Sequence, residues 1–277
     1  MRILRDVHPD HYKKMDNSEL REKFLIQDLF NVGKLDLVYL QADRMIVGSA
    51  IPTGSPLKLE GGKEIASDYF LERRELGIIN IGNTGTVTAD GIDYKLECKE
   101  ALYLGRGVKE ISFKSADSNK PAHFYLNSAP AHTGYPSKHI TFDIAKKVEA
   151  GTAEEGNVRV INQLIHPAIL ETCQLLMGLT ELAPGSMWNT MPTHTHDRRM
   201  EAYLYFNIDN EKQVVFHMMG EPHELKQIVV RDRQVVFSPS WSIHSGVGTR
   251  NYSFIWGMVG ENQVFTDMDH LSFDKLG

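Results

Sequence analysis

The sequence predicts an all-β fold, an antiparallel sandwich or barrel built from many short strands and laid out in two similar halves. Three observations lead there. Short runs rich in β-branched and aromatic residues recur along the chain, with turn residues between them. One segment alone reads clearly as a helix, so strands do not alternate with helices as in a parallel α/β sheet. A weak internal repeat relates the first half to the second.

In chain order, the helix comes first. Asn17-Ser18 can cap a segment in which Leu20, Phe24, Leu25 and Leu29 recur at helical spacing, with Glu19 and Glu22 near its positive end. Strand signals follow at Val38-Tyr39-Leu40, Arg44 to Gly48, Gly77 to Ile81 and Gly85 to Ala89, with Gly61-Gly62 and Asp90-Gly91 as turns. The stretch from about Ala129 to Val160, with Pro130, Pro136 and Glu154-Glu155-Gly156, reads as the connection between halves. Strands resume at Ala202 to Asn207, Gln213 to His217, Val235 to Phe237 and Ser253 to Gly257. For the repeat, Glu72 to Ile81 lies over Asp197 to Phe206, and Ala101 to Gly107 over Val235 to Trp241. In each half an acid-Arg-Arg insert leads into an apolar strand.

Composition narrows the function classes. A chain of 277 residues holds one large β domain or two of about 130 residues. With a net charge of −6 and no basic block, nucleic acid is not an expected partner. No apolar run approaches the ~20 residues of a membrane span, and Met1 to Asp6 lacks the apolar core of a secretory signal. Only Cys98 and Cys173 occur, which fits a reducing cytoplasm.

The chemistry concentrates in His194-Thr195-His196, with Glu201 five residues on and His244 later. Residues i and i+2 of a strand face the same way, so His194 and His196 can converge on one ion. Glu201 has the wrong parity for an unbroken strand, so Asp197-Arg198-Arg199 must turn or bulge the chain before Glu201 rejoins that face. His244 follows the strand Val235 to Phe237 behind the turn-rich Ser238-Pro239-Ser240. Three imidazoles and a carboxylate suit zinc, iron, manganese or nickel alike. On the internal overlay these positions face Tyr69, Leu71 and Leu76, so the first half carries no equivalent site and one metal per chain is expected. Of the other histidines, His8, His11, His139 and His223 lie in polar segments and read as solvated, while His123, His132 and His166 show no partner pattern. Trp188, Trp241 and Met218-Met219 read as core or rim.

These residues resemble the cupin superfamily, whose jelly-roll barrels bind metal through H-x-H, a downstream Glu and a His on a later strand. Two details depart from the generic pattern: Gly185 stands further before His194 than usual, and Trp241 replaces an expected glycine. Both fit a closer resemblance, to the 5-keto-4-deoxyuronate isomerase family. It is carried by Tyr69 to Gly77, Leu170 to Gln174, Met187 to Pro192, His194 to Glu201, Phe216 to Gly220, Ser238 to Gly246 and Trp256 to Gln263, across nearly the whole chain. The resemblance implies two cupin barrels in tandem with a few short helices: an N-terminal one over 1–140 without metal ligands and a C-terminal metal-binding one over 141–277. It also implies a zinc ion on His194, His196, Glu201 and His244, a hexameric assembly, and a cytoplasmic aldose–ketose isomerase of pectin and uronate breakdown. Its substrate would be 4-deoxy-L-threo-5-hexosulose uronate and its product 3-deoxy-D-glycero-2,5-hexodiulosonate.

Such a reaction must remove a proton from the carbon beside an aldehyde, and a divalent metal would stabilise the resulting enediolate. Glu201, Glu261, His217 and Tyr252 are the candidate bases. A substrate carboxylate calls for a planar bidentate partner, and Arg198, Arg199, Arg73 and Arg74 are candidates, each with an internal ion pair as its rival role. Four protein ligands would also suit a structural zinc. The runner-up is a cupin metal-dependent oxygenase acting on a small organic acid, and a third reading is a non-catalytic sugar-binding module.

Overall fold

The computed structural model describes residues 1–261 and 263–277. It is mostly strand and divides into two compact units. Unit 1 holds residues 1–4, 28–146 and 164–177, and unit 2 holds 5–27, 147–163 and 178–277.

Unit 1 is built on a seven-stranded sheet in the order Arg2–Leu4, Leu35–Leu40, Ile46–Ala50, Phe124–Pro130, Arg74–Asn80, Ala101–Leu104, Lys138–Ile140. Its second sheet runs Leu57–Leu59, Ile111–Ser115, Gly85–Ala89, Ile92–Leu96. Pairing is antiparallel apart from the parallel edge pair of Arg2–Leu4 with Leu35–Leu40. Both ladders end on open edges, so they form two sheets rather than a closed barrel. The hairpin joining Gly85–Ala89 to Ile92–Leu96 turns on Asp90 and Gly91, both at positive φ (47° and 80°), the backbone that matches strand twist. The core holds Ile46, Leu76, Ile78, Val87, Leu102, Ile111, Phe113 and Phe124, drawn from both sheets, and Leu71 from the turn before Arg74.

Unit 2 is built on the order Lys146–Ala150, Arg159–Ile165, Leu176–Leu182, Ser253–Gly260, Arg199–Phe206, Gln234–Ser238, Leu25–Ile26, with a second sheet Trp188–Asn189, Ile243–Gly248, Val215–Gly220, Lys226–Val230. Apart from the last edge strand, which follows the others in sequence in unit 1 (Lys138–Ile140) and precedes them in unit 2 (Leu25–Ile26), this repeats the order of unit 1. The two pairs of segments overlaid by sequence, 72–81 on 197–206 and 101–107 on 235–241, fall on equivalent strands.

Three expectations change in detail. The helix spans Asn17–Phe24 and is capped by Asp16, whose side chain accepts from the Glu19 N–H while Glu19 bonds back to the Asp16 N–H. It stops at Phe24 because Leu25–Ile26 pairs with Val235-Val236 as an edge strand, so sheet hydrogen bonding overrides helical periodicity there. The expected connection over 129–160 contains the strands Lys138–Ile140 and Lys146–Ala150, and Arg159–Ile165 begins within it. Prolines and acidic residues mark its turns, not an absence of strands. His139, expected to be solvated, is half-buried and hydrogen-bonds Glu100 at 3.0 Å, while His8 caps the short helix Pro9–Tyr12 by accepting from the Asp10 N–H. Among the described residues no helix is long and apolar enough to cross a membrane.

Candidate metal centre

Strand alternation in unit 2 assembles the site. Along Arg199–Phe206 every residue is buried, with Glu201, Tyr203 and Tyr205 on one face. His194 lies on a two-residue strand paired with Asp269–His270. After it the chain turns through His196 and Asp197, the Arg199 N–H returning to the His196 carbonyl at 3.3 Å, before the strand carrying Glu201 begins. This is the break that the parity of Glu201 requires. His244 sits on the other sheet, opposite Met219.

One ligand atom each from His194, His196, Glu201 and His244 lies within 4.8 Å of the others, and all four residues are buried. His196 Nε2 is 3.1 Å from Glu201 Oε1, His244 Nε2 is 3.6 Å from Glu201 Oε2, and the Nε2 atoms of His244 and His194 are 3.1 Å apart. Ligands about 2.1 Å from a tetrahedral ion stand roughly 3.4 Å from one another, so these spacings are those of a coordination polyhedron. The His196 Nδ1–H donates to the Arg199 carbonyl at 2.8 Å, which leaves the Nε2 lone pair turned inward. Two imidazole nitrogens facing each other cannot both be satisfied as neutral acceptors, whereas a shared cation satisfies both. The donor set therefore fits a divalent transition metal.

The charges agree. Burial lowers His194 to about 2 and His244 to about 4, keeping both rings neutral as ligation requires. Burial would raise Glu201, but the surrounding imidazoles, His244 first, hold its carboxylate well below the usual range. Burial opposes charge on His196, yet its bond to Glu201 prevails and raises it. An incoming metal would displace that shared proton.

His194 and Glu201 open onto a pocket of about 260 Å³. Its walls follow the same alternation: Arg159 and Ile161 from one strand, Phe254, Trp256 and Met258 from another. Gly178 permits this wall, since a Cβ there would come within 2.1 Å of the Trp256 ring. Phe265, Met268 and His270 of the C-terminal segment complete the lining.

The expected site residues separate into three places. Glu201 is both in the donor set and on the pocket. His217 and Tyr252 are fully buried, His217 bonded to the Tyr205 hydroxyl (2.8 Å) and Ser238 Oγ (3.2 Å), Tyr252 donating to Asn189 Oδ1 (3.0 Å). Burial lowers His217 to about 3. Glu261 is exposed, its backbone N–H donating to the Arg198 carbonyl.

The expected arginines have partners of their own. Arg198 makes a two-pronged contact with Asp267 (2.8 and 2.7 Å) and reaches Asp269, while Arg199 donates to the carbonyls of Val264, Phe265 and Asp267. Together they anchor the C-terminal segment that lines the pocket. In unit 1, Arg74 likewise donates to Ser128 and the Arg44 carbonyl, and Arg73 to Ser67 and the Ala66 carbonyl. Arg159 and His270 line the pocket without having been singled out in the sequence. Arg159 stands at the head of a strand in the stretch read as a connection, and His270 in the C-terminal tail, so neither had a motif around it.

A family model described as KduI/IolB matches residues 26–273. The chain belongs to the KduI/IolB family. Two relatives named 4-deoxy-L-threo-5-hexosulose-uronate ketol-isomerase match over the full length of both chains, one from Lachnoclostridium phytofermentans at 55% identity and one from Yersinia enterocolitica at 53%. An IolB-like protein from Salmonella typhimurium superposes with a TM-score of 0.71 at 14% identity, covering 90% of this chain and 96% of that one. KduI/IolB membership and that likeness agree on a cupin-like, mostly β fold.

Proposed function

We propose that this chain is a 4-deoxy-L-threo-5-hexosulose-uronate ketol-isomerase, converting that substrate to 3-deoxy-D-glycero-2,5-hexodiulosonate. The observation that carries the reading is the buried His194–His196–Glu201–His244 set opening onto a largely apolar pocket, in a chain more than half identical to full-length relatives of that name. A divalent cation held by these four residues would polarise the substrate aldehyde and its neighbouring hydroxyl and stabilise negative charge on their oxygens. The chain's own residues do the rest. The proton leaves the hydroxyl-bearing carbon and a proton returns to the aldehyde carbon, while the oxygens exchange roles as carbonyl and hydroxyl. Of Glu201, Glu261, His217 and Tyr252, Glu201 is the one that lines the pocket, which favours it as the proton carrier. His217 and Tyr252 act from behind, fixing Tyr205 and Asn189. Arg198 and Arg199 hold Phe265 and Met268 over the pocket, so water is excluded from the reacting carbons.

On the same reading the metal is zinc, one ion per chain, bound by the jelly-roll module of 141–277, while the module of 1–140 has none. The enzyme acts in the cytoplasm as a homo-hexamer in uronate degradation. The donor types admit zinc, the family resemblance favours it, and the relatives' name favours the pathway. The test is turnover of the 5-keto-4-deoxyuronate by purified protein, before and after chelation, with oxygen uptake followed in parallel. Isomerisation that stops on chelation and returns with zinc supports the reading. Absence of turnover with metal bound, or oxygen consumption, refutes it.

A further inference from the structure

We infer that Arg159 binds the substrate carboxylate and sets the enzyme's preference for an acidic sugar, an inference that rests on the uronate reading of this same pocket. The walls of the pocket are chiefly apolar, with Ile161, Phe254, Trp256, Met258 and Phe265 prominent, and Arg159 is the cationic side chain among them. It is half-buried at the head of its strand, and Ile161, two residues on, lines the pocket from the same face. One guanidinium nitrogen, Nη1, donates to the Asn157 carbonyl at 2.8 Å, and the guanidinium makes no other protein hydrogen bond among the described residues. Its remaining N–H groups are thus available to a ligand, in a fork that matches a carboxylate. Arg198 and Arg199, the nearer arginines in sequence, are already occupied by carboxylates and carbonyls. Burial lowers the Arg159 pKa, with the Tyr203 and Tyr252 hydroxyls opposing, but a guanidinium stays charged at neutral pH.

The chemistry of the substrate supplies the counterpart. Its carboxylate and its aldehyde are at opposite ends of a six-carbon chain. A site that holds the reacting end on His194 and Glu201 therefore needs a cationic group elsewhere on the same pocket. Seating the carboxylate there would orient the chain, and the apolar walls strengthen the pairing by excluding water.

The rival role for Arg159 is structural, tying down the loop at Asn157, and specificity separates the two. The experiment compares zinc-loaded wild type with Arg159→Met and Arg159→Lys. It measures calorimetric Kd for D-gluconate and D-glucitol, open-chain six-carbon probes that differ in the carboxylate, together with zinc content and Tm. Wild type should prefer gluconate. Arg159→Met should weaken gluconate about 10- to 100-fold and leave glucitol unchanged, and Arg159→Lys should fall between. Weakening of both probes alike, an undiminished gluconate preference in the variants, or no preference in wild type would overturn the inference. If Arg159→Met does not fold, the gluconate-to-glucitol ratio of Arg159→Lys decides: a fall supports the inference, an unchanged ratio overturns it. Turnover of the uronate is measured separately. Wild type that binds gluconate through Arg159 yet does not isomerise the uronate would sink the isomerase reading and leave the carboxylate site standing.

Discussion

Apart from one edge strand, units 1 and 2 lay their strands in the same order, yet the space between the two sheets of each unit is filled with opposite chemistry. In unit 1 the central strand Arg74–Asn80 turns Leu76 and Ile78 inward, and they pack with Val87, Phe113 and Phe124 into an apolar core. In unit 2 the equivalent strand presents Glu201, Tyr203 and Tyr205, which meet His244, His217 and Asn189. Where His194, His196 and Glu201 form a donor set, unit 1 has the half-buried Tyr69 and the buried Leu71 and Leu76. The same ladder of backbone hydrogen bonds therefore supports either a packed core or a polar centre. What decides is whether the inward positions carry groups that can satisfy one another, because a buried charge without partners costs several kcal/mol.

The largest effect should come from the donor set. His196→Ala or His244→Ala should abolish metal binding and lower turnover by about 10³-fold or more, the loss of roughly 4 kcal/mol of transition-state stabilisation. Circular dichroism should show both variants folded, since the apolar strands supply the core. Metal analysis should find one equivalent per chain in wild type and none in either variant. Two equivalents in wild type would erase the asymmetry between the units, and unfolding of the variants would make the metal structural.

Next in size is the converse change. Leu76→Glu places an unpaired carboxylate in the core of unit 1 and should destabilise the protein by about 3–5 kcal/mol, read by urea denaturation. Leu76→Ala should cost about 2–5 kcal/mol through the cavity it leaves, without change in metal content. A Leu76→Glu variant as stable as wild type would show that unit 1 tolerates polar chemistry after all.

A smaller effect is expected from the arginine pair. Arg198→Ala removes contacts with Asp267 and Asp269 that are partly exposed to solvent. It should raise KM several-fold by loosening the C-terminal segment over the pocket while the metal content stays at one. Unchanged kinetics would detach that segment from substrate binding. Least affected should be Glu261→Gln, with turnover within about twofold of wild type and metal retained, because its side chain is exposed and off the pocket. A loss of 10²-fold would restore Glu261 as a base.

Much of this contrast was legible in one dimension. The i, i+2 pair His194 and His196, the broken parity before Glu201, and His244 behind a proline turn specified four side chains that meet in space. The acid-Arg-Arg repeat located the two central strands, and Leu71 and Leu76 marked the half whose inward positions are apolar. Asp90-Gly91 announced its hairpin because two positive-φ positions in a row leave few other uses for that pair. The end of the helix at Phe24 was not legible, since its outcome rests on a strand more than 200 residues away. Nor were the strands inside the supposed connection, where Lys138–Ile140 pairs with Ala101 to Tyr103 although prolines and acidic residues dominate the local pattern.

The sequence by itself determined the β class, the duplication and the four residues that converge as a candidate donor set, because each rests on local periodicity or on residue types with few alternative roles. The tertiary structure alone decided what surrounds that set. It enlisted Arg198 and Arg199 to hold the C-terminal segment and brought Arg159 and His270 to the pocket. It also buried His217 and Tyr252 behind that wall. Those assignments depend on which distant strands become neighbours, and pairing energy is spread over long-range contacts that no short window of residues contains.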